Sequence, residues 1–205
     1  MALTASPYGL RAVNLIGGLP YAGSTRQIPI TANYAVNIFN GSVVVITSAG
    51  TCELMVTPSL GTAANPFPAG TIGVFVGCSY TNPSTKQKVF AQYWPASTIA
   101  SDAVAYVVDD DRVVFQAQAD GTLAQTALGN NINLKAVQST STGSTLNGNS
   151  TSALDYTSAA STTGISLRIV DFVDMKGFSA VGDAFTDVLV KFNPVAHSYS
   201  NPLGI

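Results

Sequence analysis

An all-β fold is what this 205-residue sequence predicts, and three features predict it. From Gln27 onward, short runs rich in β-branched residues alternate with Gly, Pro and Asn breaks, as strands joined by turns do. Long polar helix formers are scarce: Glu53 is the only glutamate, and charged residues make up 10% of the chain against about 25% in an average soluble domain. Exposed faces must therefore be built from hydroxyl and amide groups, which 41 Ser and Thr residues supply. The expected architecture is a compact β-barrel or β-tulip-like core of short antiparallel strands with extended arms at both ends.

Residues 1–26 hold Pro7, Gly9, Gly17, Gly18, Pro20 and Gly23 and keep no sustained period, so they read as an N-terminal arm. Tyr8, Leu10, Val13, Leu15, Ile16 and Tyr21 are too many apolar residues for a tail left in water; they dock on the chain's own core or on a neighbouring subunit. The core spans 27–192, with strands expected at 27–31, 42–47, 52–57, 71–78, 87–94, 103–108 and 112–118. Asn40-Gly41 and Ala49-Gly50-Thr51 supply turn chemistry. In 71–78, Ile72, Val74 and Val76 share one face, while Gly73, Phe75 and Gly77 leave the other mostly open, which marks a bulge, a barrel corner or a close backbone approach. Residues 123–128 fit a short helical turn and 133–138 return to strand character. Between 139 and 164, 14 of 26 residues are Ser or Thr; such a tract buries too little apolar area to order itself and reads as a long loop, pinned where Leu154 and Tyr156 form a small strand. Strands at 165–173 and 186–192 follow, then a C-terminal arm over 193–205 with Pro194, Pro202 and Gly204. One barrel or two β-subdomains divided near residue 97 both fit this pattern.

The formal charge of −2 and pI of about 5.1 give no electrostatic footprint for duplex DNA or an anionic bilayer. No apolar run approaches the roughly 20 residues of a membrane span. Met1 to Leu10 lack a basic n-region, and Arg11 and Asn14 interrupt the apolar residues after Leu10, so synthesis in the cytoplasm is expected. Cys52 and Cys78 lie in apolar contexts and are expected as buried free thiols; a disulfide requires their Cα atoms to come within about 7 Å.

Groups able to do chemistry are few, and no catalytic residue or cofactor is assigned. His197, the only histidine, lies in the proline-flanked tail, a poor mount for a general base and a natural surface or interface imidazole. Asp109, Asp110 and Asp111 offer hard oxygen ligands, but they lack EF-hand spacing, and a solvated turn between antiparallel strands explains them as well. Nucleophile-elbow, Walker and zincin motifs are missing, and nothing in their spacing pairs Asp102, Asp171 and Asp174 as a glycosidase needs. Phe90, Tyr93 and Trp94 form an aromatic cluster suited to core packing, to an interface or to a sugar platform.

Gly41-Ser42-Val43-Val44, then Ala49-Gly50-Thr51, then Ile72-Gly73-Val74-Phe75-Val76-Gly77 resemble the opening module of capsid cement or decoration proteins of tailed bacteriophages. The likeness covers roughly residues 28–78 and is a layout of strands; family members commonly carry Asp where this chain has Ser42. The segments Ser6-Pro7-Tyr8-Gly9-Leu10-Arg11, Gly23-Ser24-Thr25-Arg26-Gln27-Ile28-Pro29, Gln92-Tyr93-Trp94-Pro95 and Gly129-Asn130-Asn131 resemble head-associated structural proteins of marine phages.

That resemblance implies a virion component on the outer capsid surface, not an enzyme. It would be a homo-oligomer, a trimer by preference, bound over seams between major capsid proteins, without direct contact to nucleic acid or membrane. Interface contacts are expected from Tyr8, Leu10, Arg11, Leu15 and Ile16 in the first arm, from Trp94, and from Tyr199 and Leu203 in the second. The alternatives are a carbohydrate-binding surface module using Tyr93 and Trp94, a tail or vertex subunit, or a β-fold hydrolase built on paired aspartates.

Overall fold

The computed structural model describes residues 4–56, 67–175 and 179–202. Among these the chain is all-β: it forms strands β1 (Arg11–Leu15), β2 (Arg26–Pro29), β3 (Ile38–Phe39), β4 (Val43–Ile46), β5 (Cys52–Leu54), β6 (Thr71–Thr81), β7 (Lys88–Ala91), β8 (Tyr93–Trp94), β9 (Val104–Val108), β10 (Val113–Gln118), β11 (Asn131–Ile132), β12 (Leu167–Phe172) and β13 (Asp187–Phe192). Three single 3-10 turns, Gln125–Ala127, Tyr156–Ser158 and Pro194–Ala196, are its only helical pieces there. No helix among the described residues is long and apolar enough to cross a membrane.

The strands make antiparallel sheets. One has five strands in the order β1-β10-β13-β12-β11; another runs β2-β9-β6-β4-β5, with β7 added beside the far end of β6; β3 and β8 form a two-stranded third. Apolar side chains fill both sides of the six-stranded sheet. On one side Val43, Val74, Val108 and Met55 meet Phe115, Ile169, Val190 and Phe192 from the five-stranded sheet. On the other, Val44, Phe75, Cys78 and Val107 meet Ile38, Trp94, Ala100 and Ile30. The middle sheet is thus a shared wall, and β6, buried along almost its whole length, carries an apolar run with little polar alternation. Gly73 is required there: a Cβ at this position would lie 2.0 Å from the Val108 carbonyl oxygen on β9. The register also shifts between Val44 and Val45 and between Phe75 and Gly77, so the glycines mark bulges and close approach.

Both arms are built into the body. β1 pairs with β10 from Arg11–Gln116 to Leu15–Val113, and Leu10 is a buried member of the first core. Leu10 N donates to Gly41 O (2.9 Å) and Ile16 N to Arg112 O (2.8 Å). At the other end Ala196 and His197 are buried, and Ser198 N donates to Thr71 O (2.7 Å). Sheets that lie open at an edge leave backbone groups unpaired, and the first arm supplies the partners that β10 lacks. Residues on both sides of 97 share each large sheet, β1 with β10 and β6 with β9, so no boundary falls there.

The expected strand at 87–94 breaks at Gln92 into β7, which joins β6, and β8, which joins β3. Residues 133–138 form no strand, and Leu154 makes only isolated bridges, to Ala119 and Leu134. The Ser/Thr tract from 139 onward is an ordered hairpin, held by backbone hydrogen bonds rather than apolar burial: Asn40 N to Gly148 O (2.9 Å), Ser150 N to Asn40 O (2.8 Å) and Thr151 N to Thr142 O (3.0 Å). Its root is Gln138, wholly buried, whose Oε1 accepts from Val43 N (2.9 Å) while its Nε2 donates to Val43 O (2.9 Å) and Met55 O (3.0 Å). The side-chain amide thereby pairs with β4 as a strand residue would.

Candidate functional site

The expected interface residues part company in the fold. Arg11 and Tyr199 are exposed, Tyr8 and Leu15 are half-buried, and Leu10 is interior. Leu203 lies outside the described residues. Trp94 has no exposed surface, which overturns both its contact role and the sugar platform: its ring packs edge-on to Tyr80 (centroids 5.4 Å apart) and its Nε1 donates to Tyr34 O (3.4 Å). Tyr93 stacks on Phe39 (5.7 Å). The strand partner explains this, since pairing β8 with β3 turns the largest apolar side chain into the second core.

The Asp109–Asp111 turn does not close a hairpin between paired strands. It carries the chain from β9 in one large sheet to β10 in the other, and the C-terminal segment straps across it: Tyr199 OH donates to Asp109 Oδ2 (2.7 Å) and Ser200 Oγ to Asp111 Oδ2 (2.6 Å). Arg26 bonds Tyr199 OH and lies 3.6 Å from Asp109. No three His, Cys, Asp or Glu side chains converge as a metal site among the described residues. His197, expected as a surface or interface imidazole, is buried within the chain against Phe192 and Tyr199, and its Nδ1 accepts from Tyr199 N (3.3 Å). Burial holds its pKa below the ordinary 6.5, with Asp111 and Asp109 pulling the other way.

Asp102 accepts from Thr81 N (2.9 Å), Thr81 Oγ1 (2.7 Å) and Lys88 Nζ (2.9 Å), and these bonds, the Thr81 backbone first, hold its carboxyl well below the usual range. Asp171 sits on β12 in the other large sheet. Cys52 and Cys78 are free and buried.

Two surface features stand out. The first is the turn after β1, closed by Leu15 N to Leu19 O (2.7 Å) and Gly18 N to Leu15 O (3.0 Å). Val13, Ile16 and Leu19 are 45%, 37% and 60% exposed around it, so a firmly bonded tip presents aliphatic side chains to solvent. Gly17 and Gly18 both hold positive φ there, which the tight reversal needs.

The second feature is a polar groove that the sequence did not signal, because its members come from unrelated turns. One cleft of about 390 Å³ is lined by Arg11, Tyr21, Asn40, Gln92 and Asn149 above an apolar floor of Leu10, Ala12 and Val76. A second, of about 240 Å³, shares Arg11 and Asn149 and continues past Tyr8, Asn147 and Thr151. The Arg11 guanidinium lies 4.9 Å from the Tyr8 ring centre.

Comparison of the chain with protein-family models, curated proteins and solved structures gave no match. The all-β class rests on the strands themselves, and function must be argued from the surface.

Proposed function

We propose that this chain is a virion structural protein, a capsid cement or decoration protein that binds across adjacent major capsid proteins on the outer surface of a tailed-phage head and stabilises the mature shell, without catalysing a reaction. The observation that carries this reading is the apolar tip at Val13, Ile16 and Leu19, held by backbone bonds on a strand that is itself part of the core sheet. A tip that is already rigid loses little conformational freedom on docking, which favours a partner surface over open water. The sequence resemblance over residues 28–78 names the partner class, and the sparse charge lets many copies sit close together.

A ligand of the assembled shell stabilises it by mass action, because it must leave before the subunits separate. If the protein is a trimer, three modest contacts act together through their effective concentration. The test uses the full chain with Ile16→Ser and Leu19→Ser together, mixed with heads assembled from the major capsid protein of the same genome and sedimented through a gradient. Co-sedimentation of the native chain is expected, along with its loss in the double variant at an unchanged melting temperature. Equal retention of both chains, or of neither, overturns the reading. Deleting residues 1–20 is a poorer test, since it removes β1 and Leu10 from the core.

A further inference from the structure

We propose that the groove between β1, the Gln92 corner and the Ser/Thr-rich hairpin binds an acidic oligosaccharide, its carboxylate on Arg11 and its hydroxyls on the side-chain amides of Asn40, Gln92 and Asn149. The site goes beyond the capsid reading and stands or falls without it.

Uncommitted polar groups are the first reason. The side-chain amides of Asn40, Gln92 and Asn149 make no hydrogen bond to any described residue, whereas the buried amides of Gln138, Asn131 and Asn193 are all engaged. Arg11 forms no ion pair with a described carboxylate, and neither cleft is lined by Asp or Glu. Among the described residues Arg11 is the one charged side chain lining either cleft, with Asp187 acting on Tyr8 and Asp109 and Asp110 on Tyr21 from outside the lining. A guanidinium pairs a carboxylate through two parallel N–H donors, and each planar amide offers a donor and an acceptor side by side, which matches neighbouring sugar hydroxyls.

Position is the second reason. Asn40 and Asn149 are locked to each other by a parallel bridge, with Asn40 N bonded to Gly148 O (2.9 Å) and Ser150 N to Asn40 O (2.8 Å). Gly148, at φ +73°, packs so closely that a Cβ there would stand 2.9 Å from Gln92 Cβ. The backbone positions that carry these three amides, from separate parts of the chain, are therefore held side by side before any ligand arrives. Between them, Ala12, Val76 and the Tyr21 ring give a partly exposed apolar floor against which the C–H face of a pyranose can lie.

Most of the backbone along the groove is already paired, which favours a glycan over an acidic peptide. Peptides dock by adding hydrogen bonds to a free strand edge. Along this groove the amide groups of Gly9, Leu10, Asn40 and Ser150 already donate to Ser152 O, Gly41 O, Gly148 O and Asn40 O. Apart from the outer edge of β1 at Ala12, since β1 pairs with β10 alone among the described strands, what remains open is side-chain chemistry.

Calorimetric titration of the full chain with a hexauronate, a neutral mannohexaose and hexaglutamate tests the proposal. Expected are a hexauronate Kd below about 1 mM, weaker binding of the neutral sugar and none of the peptide. Arg11→Gln should weaken hexauronate binding about tenfold or more, with Gln92→Ala and Asn149→Ala each costing a few-fold, while Arg112→Gln, outside the groove, changes nothing. Melting temperatures of all four variants should match the native chain. No binding of hexauronate, hexaglutamate binding as tightly as hexauronate, or an equal loss in Arg112→Gln would each overturn it.

Discussion

Replacing Gln138 by Leu keeps a side chain of similar size in a buried slot and deletes three hydrogen bonds. At the Val43–Val74 pair the bonds to β6 run through the neighbours, as Phe75 N to Ser42 O (2.9 Å) shows, so the N–H and C=O of Val43 face away from β6. Met55 N reaches that carbonyl (3.0 Å), but among the described residues the N–H has only Gln138 Oε1, and Met55 O has Gln138 Nε2. Gln138→Leu therefore strands a buried donor and a buried acceptor, each at a cost of about 1–3 kcal/mol. A loss of about 3 kcal/mol corresponds to a melting-temperature drop of about 6–12 °C for a chain of this length. Scanning calorimetry measures the drop, and limited proteolysis should show new cleavage between residues 139 and 151, since Gln138 roots that hairpin. Gln138→Glu keeps an acceptor for Val43 N but buries a charge and removes both donors, so it should do no better. A Leu variant melting within about 2 °C of the native chain, with the hairpin still protected, would refute the idea that this amide replaces a strand.

Acidification should destabilise the fold through His197: its folded pKa is depressed below 6.5, so its contribution is full above that value and is lost as pH falls through it, where the unfolded chain takes up the proton more readily. Denaturant midpoints from pH 8 to 5.5 should fall in the native chain and flatten in His197→Phe; parallel curves would exclude this source. Gly73→Ala should cost at least about 3 kcal/mol, because the new methyl group meets backbone rather than a movable side chain; a soluble variant of native stability would contradict the close approach to Val108. Neither thiol should react with Ellman's reagent at pH 8 in the folded chain, since burial pushes Cys78 up to about 12 and Cys52 further still; two equivalents should appear in guanidinium, and labelling before unfolding would disprove the burial.

The strands at 27–31, 42–47, 71–78, 103–108 and 112–118 were legible because each apolar run is bounded by glycine, proline, asparagine or aspartate, and their observed bounds differ by a few residues. The corner at Gln92 was not. Phe90 and Trp94 share a parity within one apparent strand, yet Phe90 is 75% exposed and Trp94 has no exposed surface, because the chain changes sheets between them and alternation carries no mark of that change. The order of the Ser/Thr tract was hidden for a different reason: counting apolar residues measures only the hydrophobic route to order, while this segment is held by backbone bonds and by one inserted glutamine. The Asp triplet announced a turn correctly, but its destination, and the tail that crosses it, depend on contacts about 90 positions away. The groove was illegible for the same cause, since Arg11, Asn40, Gln92 and Asn149 have nothing in common along the sequence.

Because the six-stranded sheet lies between two apolar layers, neither layer owns it. Cutting the gene at residue 97 would hand β6 to one fragment and its neighbour β9 to the other, leaving each with half of a wall and a raw face. Heating should accordingly give a single sharp transition, and amide protons on β6 should exchange only when the whole molecule opens.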